Sequence, residues 1–453
     1  MKAGFGKADI TPRLGVQLAG YGPYRNRQAQ EIVTPLYARA MVLTQGRKRA
    51  VLISVESCGT PRELAQRIRA AVVARIGGKI DEVMVSATHT HSAPGVAGMF
   101  GWGEADMMYL ETLPTRVAEA AVQAVANLTA VEWRHAHGPC EGIAVNRETD
   151  KGFAMNENFA ERMNPQWRPA KPEHTDPTVR VLAAYTDGKL VGLLHHFACH
   201  PVVYGEKTAA IHGDYAGVAT LALENKHAGA VAMFFPGAFG DINPKLNHRV
   251  LSESRLALKA IAKQYAAAVS SALRTAQPIA ADELAMLRRD TVFSRQKWPR
   301  KKVERRIAEL EKIFMQPGVT DNPFTGGQPP LMTNGMELAR LQGLRQVLSE
   351  YRDATPPNPT VCLHGIRIGP VALLGCGLEA YHSLQAPVLK GSPHPHTWLI
   401  SLVGGTGYAP DRAAIERAGY AGDFVPLVTG ELPFVKIYDE LPRALVKLAH
   451  DLK

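Results

Sequence analysis

The chain has 453 residues, of which 46% are hydrophobic and 21% charged, ordinary values for a folded protein that exclude a disordered or collagen-like chain. Its 52 basic and 42 acidic residues leave a formal charge of +10. The densest basic run, Lys297 to Arg306, is interleaved with Trp, Pro, Val and Glu, so it reads as a solvated helix face and not as a nucleic-acid groove.

Five cysteines (Cys58, Cys140, Cys199, Cys362 and Cys376), an odd count without short paired spacing, argue against a disulfide framework and against a cysteine-based zinc knuckle. Met1 to Pro12 carries no apolar leader and no apolar run reaches membrane-spanning length, so the expectation is a cytoplasmic chain with no integral membrane segment.

Lys2 to Gly22 contains D-I-T-P and the Gly-rich L-A-G-Y-G, which lets backbone pass close to a neighbour. Tyr37 to Thr44 and Arg49 to Glu56 read as two strands joined by a polar turn. Thr60-Pro61-Arg62-Glu63 reads as a capping box opening a helix with Leu64, Ile68, Val72 and Ile76 on one stripe. The β-branched run Val83 to Ala87 is a buried strand, and it ends in T-H-T-H-S-A-P-G. This strand–helix–strand order is α/β grammar. Glu56 is expected either near the histidines or at the surface.

Pro94 to Tyr109, rich in Gly, Met and Trp, reads as a loop that faces a substrate or packs on the core, and an Ala/Val-rich helix is expected from about Pro114 to Leu128. Glu148 to Pro177 is aperiodic, a long loop or flap. Val179 to Thr186 and Lys189 to Phe197 form a hairpin around Asp187-Gly188, and the second strand runs into H-H-F-A-C-H-P. Asp214 is a plausible N-cap for the next helix. Val231 to Phe235 is a strand ending in P-G-A-F-G-D-I-N-P, and Glu253 to Leu273 is a long amphipathic helix.

Two charged helices, about Lys301 to Phe314 and Met336 to Tyr351, read as an inserted helical hairpin within about 295–358. Val361 to Ile368 and Val371 to Cys376 pair across Gly369-Pro370 and lead to G-L-E-A-Y. Thr397 to Val403 is a last strand, ending in G-G-T-G-Y-A-P. No tandem repeat is visible. The fold class expected is α/β, with mixed β-sheets flanked by helices in a layered sandwich, and the chain is read as a single domain over 1–453.

Four strands thus end near a residue able to bind a metal: His89, His200, Glu379 and Tyr408. Two imidazoles and a carboxylate suit zinc and leave a position for a water, whose pKa the metal would lower. Each residue also has a plainer reading. His200 before Pro201 suits a turn, Glu379 a helix N-terminus, Tyr408 a packed aromatic, and Asp241 an Asx-turn cap. His212, His394 and His396 read as ordinary loop histidines.

Taken together, S-A-T-H-T-H-S-A-P-G, F-A-C-H-P, G-D-I-N-P, the Glu of G-L-E-A-Y, and G-Y-A-P with Tyr420 twelve residues on resemble the successive motifs of the neutral/alkaline non-lysosomal ceramidase family. D-I-T-P and V-N-R fit its other landmarks. The resemblance implies a zinc-dependent amidase with one Zn2+ per chain, held by His89, His200, Glu379 and Tyr408. It implies that His91 transfers a proton or hydrogen-bonds beside the metal, and that Arg147 and Tyr420 meet the substrate carbonyl or its oxyanion. Asp241 and Asn243 belong to the same set.

This sequence departs from the family pattern at three points. Asn243 stands where the family carries an active-site serine, and an amide is no nucleophile. Thr406 stands where a tyrosine is expected, and the family's C-terminal β-sandwich domain is not expected within these residues. The leading expectation is an amide hydrolase that is ceramidase-like but not ceramide-specific, acting on a small-molecule amide or ester and not on nucleic acid. The alternatives are a metal-dependent hydrolase of an ester or sugar-derived substrate, and a non-catalytic binding protein that retains the fold.

Overall fold

The apolar runs of the sequence become the strands of three mixed sheets in this computed structural model, which describes residues 1–23, 26–149, 158–315 and 330–452. Of the expected Gly/Pro loop between the two charged helices, residues 317–329 lie outside the described residues, as does part of the expected flap, 150–157.

The first sheet is built on the hairpin Tyr37–Gln45 and Lys48–Val55, flanked by antiparallel Lys2–Asp9 on one side and parallel Val83–Ala87 on the other. The second repeats the plan. Thr178–Thr186 and Lys189–Phe197 form the hairpin, Glu132–Pro139 is the antiparallel neighbour and Val231–Pro236 the parallel one. In the third, Thr360–Ile368 and Val371–Cys376 pair, with Leu284–Val292 antiparallel and His396–Ile400 parallel. In every case a helix connects the second hairpin strand to its parallel partner: Arg62–Ile76, Asp214–Lys226 and Gln385–Gly391. The chain is therefore three copies of one topological unit. The sequence hides this repeat because a strand requires only buried, β-compatible side chains, which different residues supply equally well.

The three sheets share one interior. Phe5, Leu43 and Leu52 of the first meet Trp133, Leu194 and Phe235 of the second and Ile366, Leu373 and Trp398 of the third. Each sheet's other face is covered by its own helices. The two helices Arg300–Phe314 and Pro330–Ser349 pack on each other through Val303, Ile307, Leu344 and Val347, and on Leu427 and Leu432 of the core. No described helix is long and apolar enough to cross a membrane.

Several local expectations are corrected. The helix after Thr60 starts at Arg62 with extended Pro61 as its flanking residue, so the Thr60 hydroxyl caps nothing and has no partner. The Ala/Val-rich helix begins at Met107, not near Pro114, because the Asp106 side chain accepts from Tyr109 N at 2.9 Å. Pro114 then sits inside the helix without an N–H, and the carbonyl it leaves free, Leu110 O, accepts from Arg67 Nη2 at 3.2 Å. Asp214 is the first residue of its helix, not the cap, and its carboxylate turns back to accept from Val203 N and Tyr204 N, both at 3.1 Å. Glu56 is neither at the surface nor beside the histidines. It is buried against Arg39 at 2.6 Å, and Arg39 also holds Glu224 at 2.8 Å. His212, expected in an ordinary loop, is fully buried with its ring edge-on to Tyr204.

His195, His196 and His212 are fully buried, and burial pushes each imidazole down to about 3. The unfolded chain takes these protons below about pH 6.5, whereas the folded protein resists them. Their stabilising contribution is complete above that pH and is lost as pH falls, at about 1.4 kcal/mol per unit for each imidazole. Burial raises Asp214 and Asp241 to about 6, which opposes the trend between about pH 4 and 6 but leaves the histidines in the majority. Urea unfolding should give a lower midpoint at pH 5 than at pH 7, and His195→Gln should make the pH slope shallower by about one proton.

Candidate functional site

Val83–Ala87 is buried on both faces, and the chain leaves it through His89, whose backbone is left-handed with φ 71°. A non-glycine residue in that region is strained and is held by its surroundings. Here His89 N donates to Ser57 O at 2.9 Å, and Nδ1 donates to Cys58 O. His200 follows the second sheet's hairpin. Its N donates to Ile242 O at 3.0 Å, and its Nδ1 faces Phe239 O at 2.8 Å and Ile242 O at 2.9 Å. With Nδ1 committed as a donor in both rings, both Nε2 atoms are left as lone pairs.

Those lone pairs converge on one carboxylate oxygen. Glu379 Oε2 lies 3.4 Å from His89 Nε2 and 3.1 Å from His200 Nε2. Ligands about 2.0–2.1 Å from a tetrahedral cation stand about 3.3 Å apart, so this donor set fits one. All three residues are buried, with one donor atom each within 4.8 Å of the others. Burial lowers His89 to about 4 and His200 well below its ordinary value, so both rings are neutral near pH 7. Burial raises Glu379, while His89 and Arg147 pull it back.

Glu379 forms a two-residue parallel bridge with Tyr408, which carries the Tyr408 hydroxyl to the carboxylate as a hydrogen-bond donor. Arg147 Nη2 donates to Tyr408 Oη at 3.1 Å and to Gly240 O at 2.7 Å, and Nη1 reaches Asn243 Oδ1 at 3.4 Å. Tyr420 packs its ring 5.9 Å from that of Tyr408 and is 40% exposed. Its hydroxyl end feels Arg147 and Glu379, and burial pushes it up to about 12. His91 Nε2 lies 3.1 Å from His89 Nε2, and Arg27 Nη1 holds the His91 carbonyl at 3.0 Å.

His89, His91, Glu379, Tyr408 and Tyr420 edge a narrow cavity of about 50 Å³, room for a few waters, with an apolar wall that includes Val96, Met99, Trp102 and Leu402. The structure brings His89, His91, His200, Glu379, Tyr408, Tyr420, Arg147 and Asn243 together. Asp241 stands behind them. Its carboxylate accepts from His382 N and Asn146 Nδ2, both at 2.7 Å, and its backbone carbonyl from Arg147 N. It positions the Arg147 strand.

Sequence reasoning overlooked two contributors. Cys58, weighed only for a disulfide framework and a cysteine-based zinc knuckle, supplies the carbonyl that orients His89. Gly20, φ 99°, lets the His91 ring close in, because a Cβ there would stand 2.3 Å from His91 Cγ. The glycine-rich L-A-G-Y-G was the available signal for the second.

The family model "neutral/alkaline non-lysosomal ceramidase, N-terminal" matches residues 1–271. The chain belongs to this family. Its relatives include neutral ceramidases from Drosophila melanogaster, 28% identical over 265 residues, and Mycobacterium tuberculosis, 27% identical over 266. Each match covers 54% of this chain but only 36% and 39% of the relative, so the similarity spans little more than a third of those proteins. The crystal structure of neutral ceramidase from Pseudomonas aeruginosa superposes with a TM-score of 0.72 at 19% identity, over 100% of this chain and 75% of that one. A ceramidase complexed with C2 gives 0.73, also at 19%, over 99% of this chain and 74% of that one. The fold is therefore that of the neutral ceramidases.

Gly20→Ala should displace the His91 ring. The expected result is a loss of about 1–3 kcal/mol in urea unfolding together with a moved His91 imidazole resonance. An unchanged resonance would count against the close approach.

Proposed function

We propose that this member of the ceramidase family is a metal-dependent hydrolase that cleaves an amide (N-acyl) bond, with zinc held by His89, His200, Glu379 and Tyr408. One observation carries the reading: two imidazole lone pairs, each oriented by its own backbone carbonyl, meet at a single buried carboxylate oxygen. Without a cation, that arrangement packs three polar groups in a buried spot with little to gain. Support for the reaction class comes from relatives named neutral ceramidases, since ceramide is an N-acyl compound.

Zinc bound there would supply Lewis acidity to a carbonyl and acidity to a water. The chain's own residues do the rest. The apolar wall of Val96, Met99 and Trp102 receives the acyl side and excludes bulk water. Neutral His91 accepts a proton at Nε2 as the nucleophile attacks. Arg147 keeps the Tyr408 hydroxyl turned toward Glu379, and Tyr420 donates to the carbonyl oxygen as negative charge builds on it. Asn243, where the family pattern has serine, hydrogen-bonds Arg147 and provides no nucleophile. For this reason the substrate proposed is an N-acyl compound other than ceramide. The same asparagine favours a second reading, a binding protein that retains the fold without catalysis.

Elemental analysis separates the two. The expected result is about one tightly held zinc per chain in the wild type and none in His89→Ala with His200→Ala, accompanied by hydrolysis of N-acyl substrates that the double variant lacks. Zinc without hydrolysis of any amide or ester would favour the binding protein, and absence of zinc would end the metal-centre reading. Tyr420→Phe should keep the metal and lower kcat by about 10²–10³, the usual effect of removing one oxyanion donor. Steady-state kinetics on the zinc-loaded variant checks this.

A further inference from the structure

A second cavity, of about 170 Å³, lies between the helix Arg62–Ile76 and the third sheet, with Arg62, Arg69 and Arg288 in its wall. Thr406 lines both this cavity and the one at the donor set. A Cβ on Gly59, in the wall of the first cavity, would stand 2.9 Å from the Thr406 methyl group, and one on Gly98, in the wall of the second, 3.5 Å from its hydroxyl.

Arg69 is only 2% exposed, yet no carboxylate pairs with it among the described residues. Its Nε donates to Val83 O at 3.1 Å and its Nη2 to the weak acceptor Cys362 Sγ at 3.6 Å, which leaves Nη1 without a hydrogen bond among the described residues. Gly404, φ 67°, makes room for the guanidinium, since a Cβ there would stand 2.6 Å from Nη2. Buried charges are ordinarily paired. Arg39 is the ordinary case: burial lowers it, but Glu56 and Glu224 lift it above its usual value, whereas burial leaves Arg69 below. The acids nearby are already engaged. Asp290 is shared by Arg288 at 2.9 Å and Arg62 at 3.6 Å, Arg288 also holds Asp81 at 2.6 Å, and Glu431 pairs with Arg295. Four guanidiniums (Arg62, Arg69, Arg288, Arg295) thus meet three carboxylates (Asp81, Asp290, Glu431), and the one left over is Arg69.

We infer that the second cavity binds a carboxylate through Arg69 and Arg62, and that this carboxylate belongs to the substrate. The inference rests on the N-acyl hydrolase reading above and names its substrate class: an N-acyl compound whose amine side ends in an acid, as in an N-acyl amino acid. The acyl chain lies along Val96, Met99 and Trp102, the amide reaches the donor set, and the carboxylate passes Thr406 to reach Arg69. Thr406, where the family pattern has tyrosine, is small enough to leave that passage open. A guanidinium fork matches a carboxylate in shape as well as charge, so the acid is selected over a neutral group of the same length.

Binding and hydrolysis are measured separately on the full chain with zinc added. Binding uses ketone isosteres, in which CH2 replaces the amide N–H so that nothing is cleaved. The acids correspond to N-octanoylglycine, N-octanoyl-β-alanine and N-octanoyl-γ-aminobutyrate, each compared by calorimetry with the alcohol of the same length. At least one acid should bind at least about tenfold tighter than its alcohol in the wild type, and Arg69→Gln should remove that advantage. Loss of a merely structural arginine would weaken acid and alcohol alike and keep their ratio. An unchanged ratio in Arg69→Gln therefore overturns the inference, and if circular dichroism shows that variant misfolded, the exposed Arg62→Gln decides in its place. No preference for any acid in the wild type also overturns it. Inorganic phosphate that binds through Arg69 while no acid is preferred would give the cavity to a free anion and overturn the substrate assignment. Hydrolysis of the neutral and acidic amides at equal kcat/KM would overturn this inference and keep the amidase reading. Acid preference in binding without hydrolysis of any of the amides would uphold the carboxylate site and count against the amidase reading.

Discussion

Everything at the site depends on how three sheets are tied together at one junction. The shared apolar interior brings the sheets into contact, but apolar packing is non-directional and does not set register by itself. Direction comes from a few buried polar ties. Ser54 Oγ donates to Phe234 O at 2.7 Å, joining the first sheet to the second. His196 Nε2 reaches Leu399 O at 2.8 Å, joining the second to the third. Ser86 Oγ donates to Ser401 O at 3.3 Å, closing the triangle. Each tie sits near the strand ends from which His89, His200 and Glu379 emerge, so the donor set inherits its geometry from the scaffold.

Burial then sets the electrostatics. The same exclusion of water that holds His89 and His200 neutral leaves their Nε2 lone pairs facing a carboxylate oxygen, an acceptor like themselves, with His91 Nε2 beside His89 at 3.1 Å. Arg147 supplies compensating positive charge from one side without joining the set, anchored by carbonyls and by Asn243. The outer groups, His91 and Tyr420, are placed by weaker means: a neighbouring ring, one backbone contact and partial exposure. The site is rigid where donor geometry matters and looser where a substrate would enter, a common division of labour in enzymes.

Much of this was legible in the chain. Val83–Ala87 and the Asp187-Gly188 hairpin follow from β-branched runs and turn chemistry alone, and the four strand-end residues could be picked out by their setting. Long-range identity was not legible. Nothing local told Glu56 that its partner would be Arg39, or Asp214 that its carboxylate would serve the loop after His200 as well as Tyr215 N of its own helix. Pro114 misplaced a helix start because the cost of an internal proline is cancelled by an arginine from a different helix. The threefold plan escaped notice for the same reason: topology is shared through burial pattern, while the residues that fill it are free to differ.

The Arg39 cluster has a consequence for the order in which the chain can mature. Arg39 and Glu56 lie in the first unit, but the second carboxylate that holds the guanidinium, Glu224, belongs to the helix of the second. The Ser86 tie reaches later still, to residue 401. As the polypeptide emerges from the ribosome, the leading unit can collapse around its hairpin with Arg39 and Glu56 already paired, but Arg39 gains its second carboxylate only once Glu224, nearly half-way along the chain, has been made. Its final closure waits for the third unit. The three units resemble modules in topology, yet the second is not free to be exchanged or expressed alone without stranding the buried Glu224, whose partners Arg39 and Lys7 belong to the first.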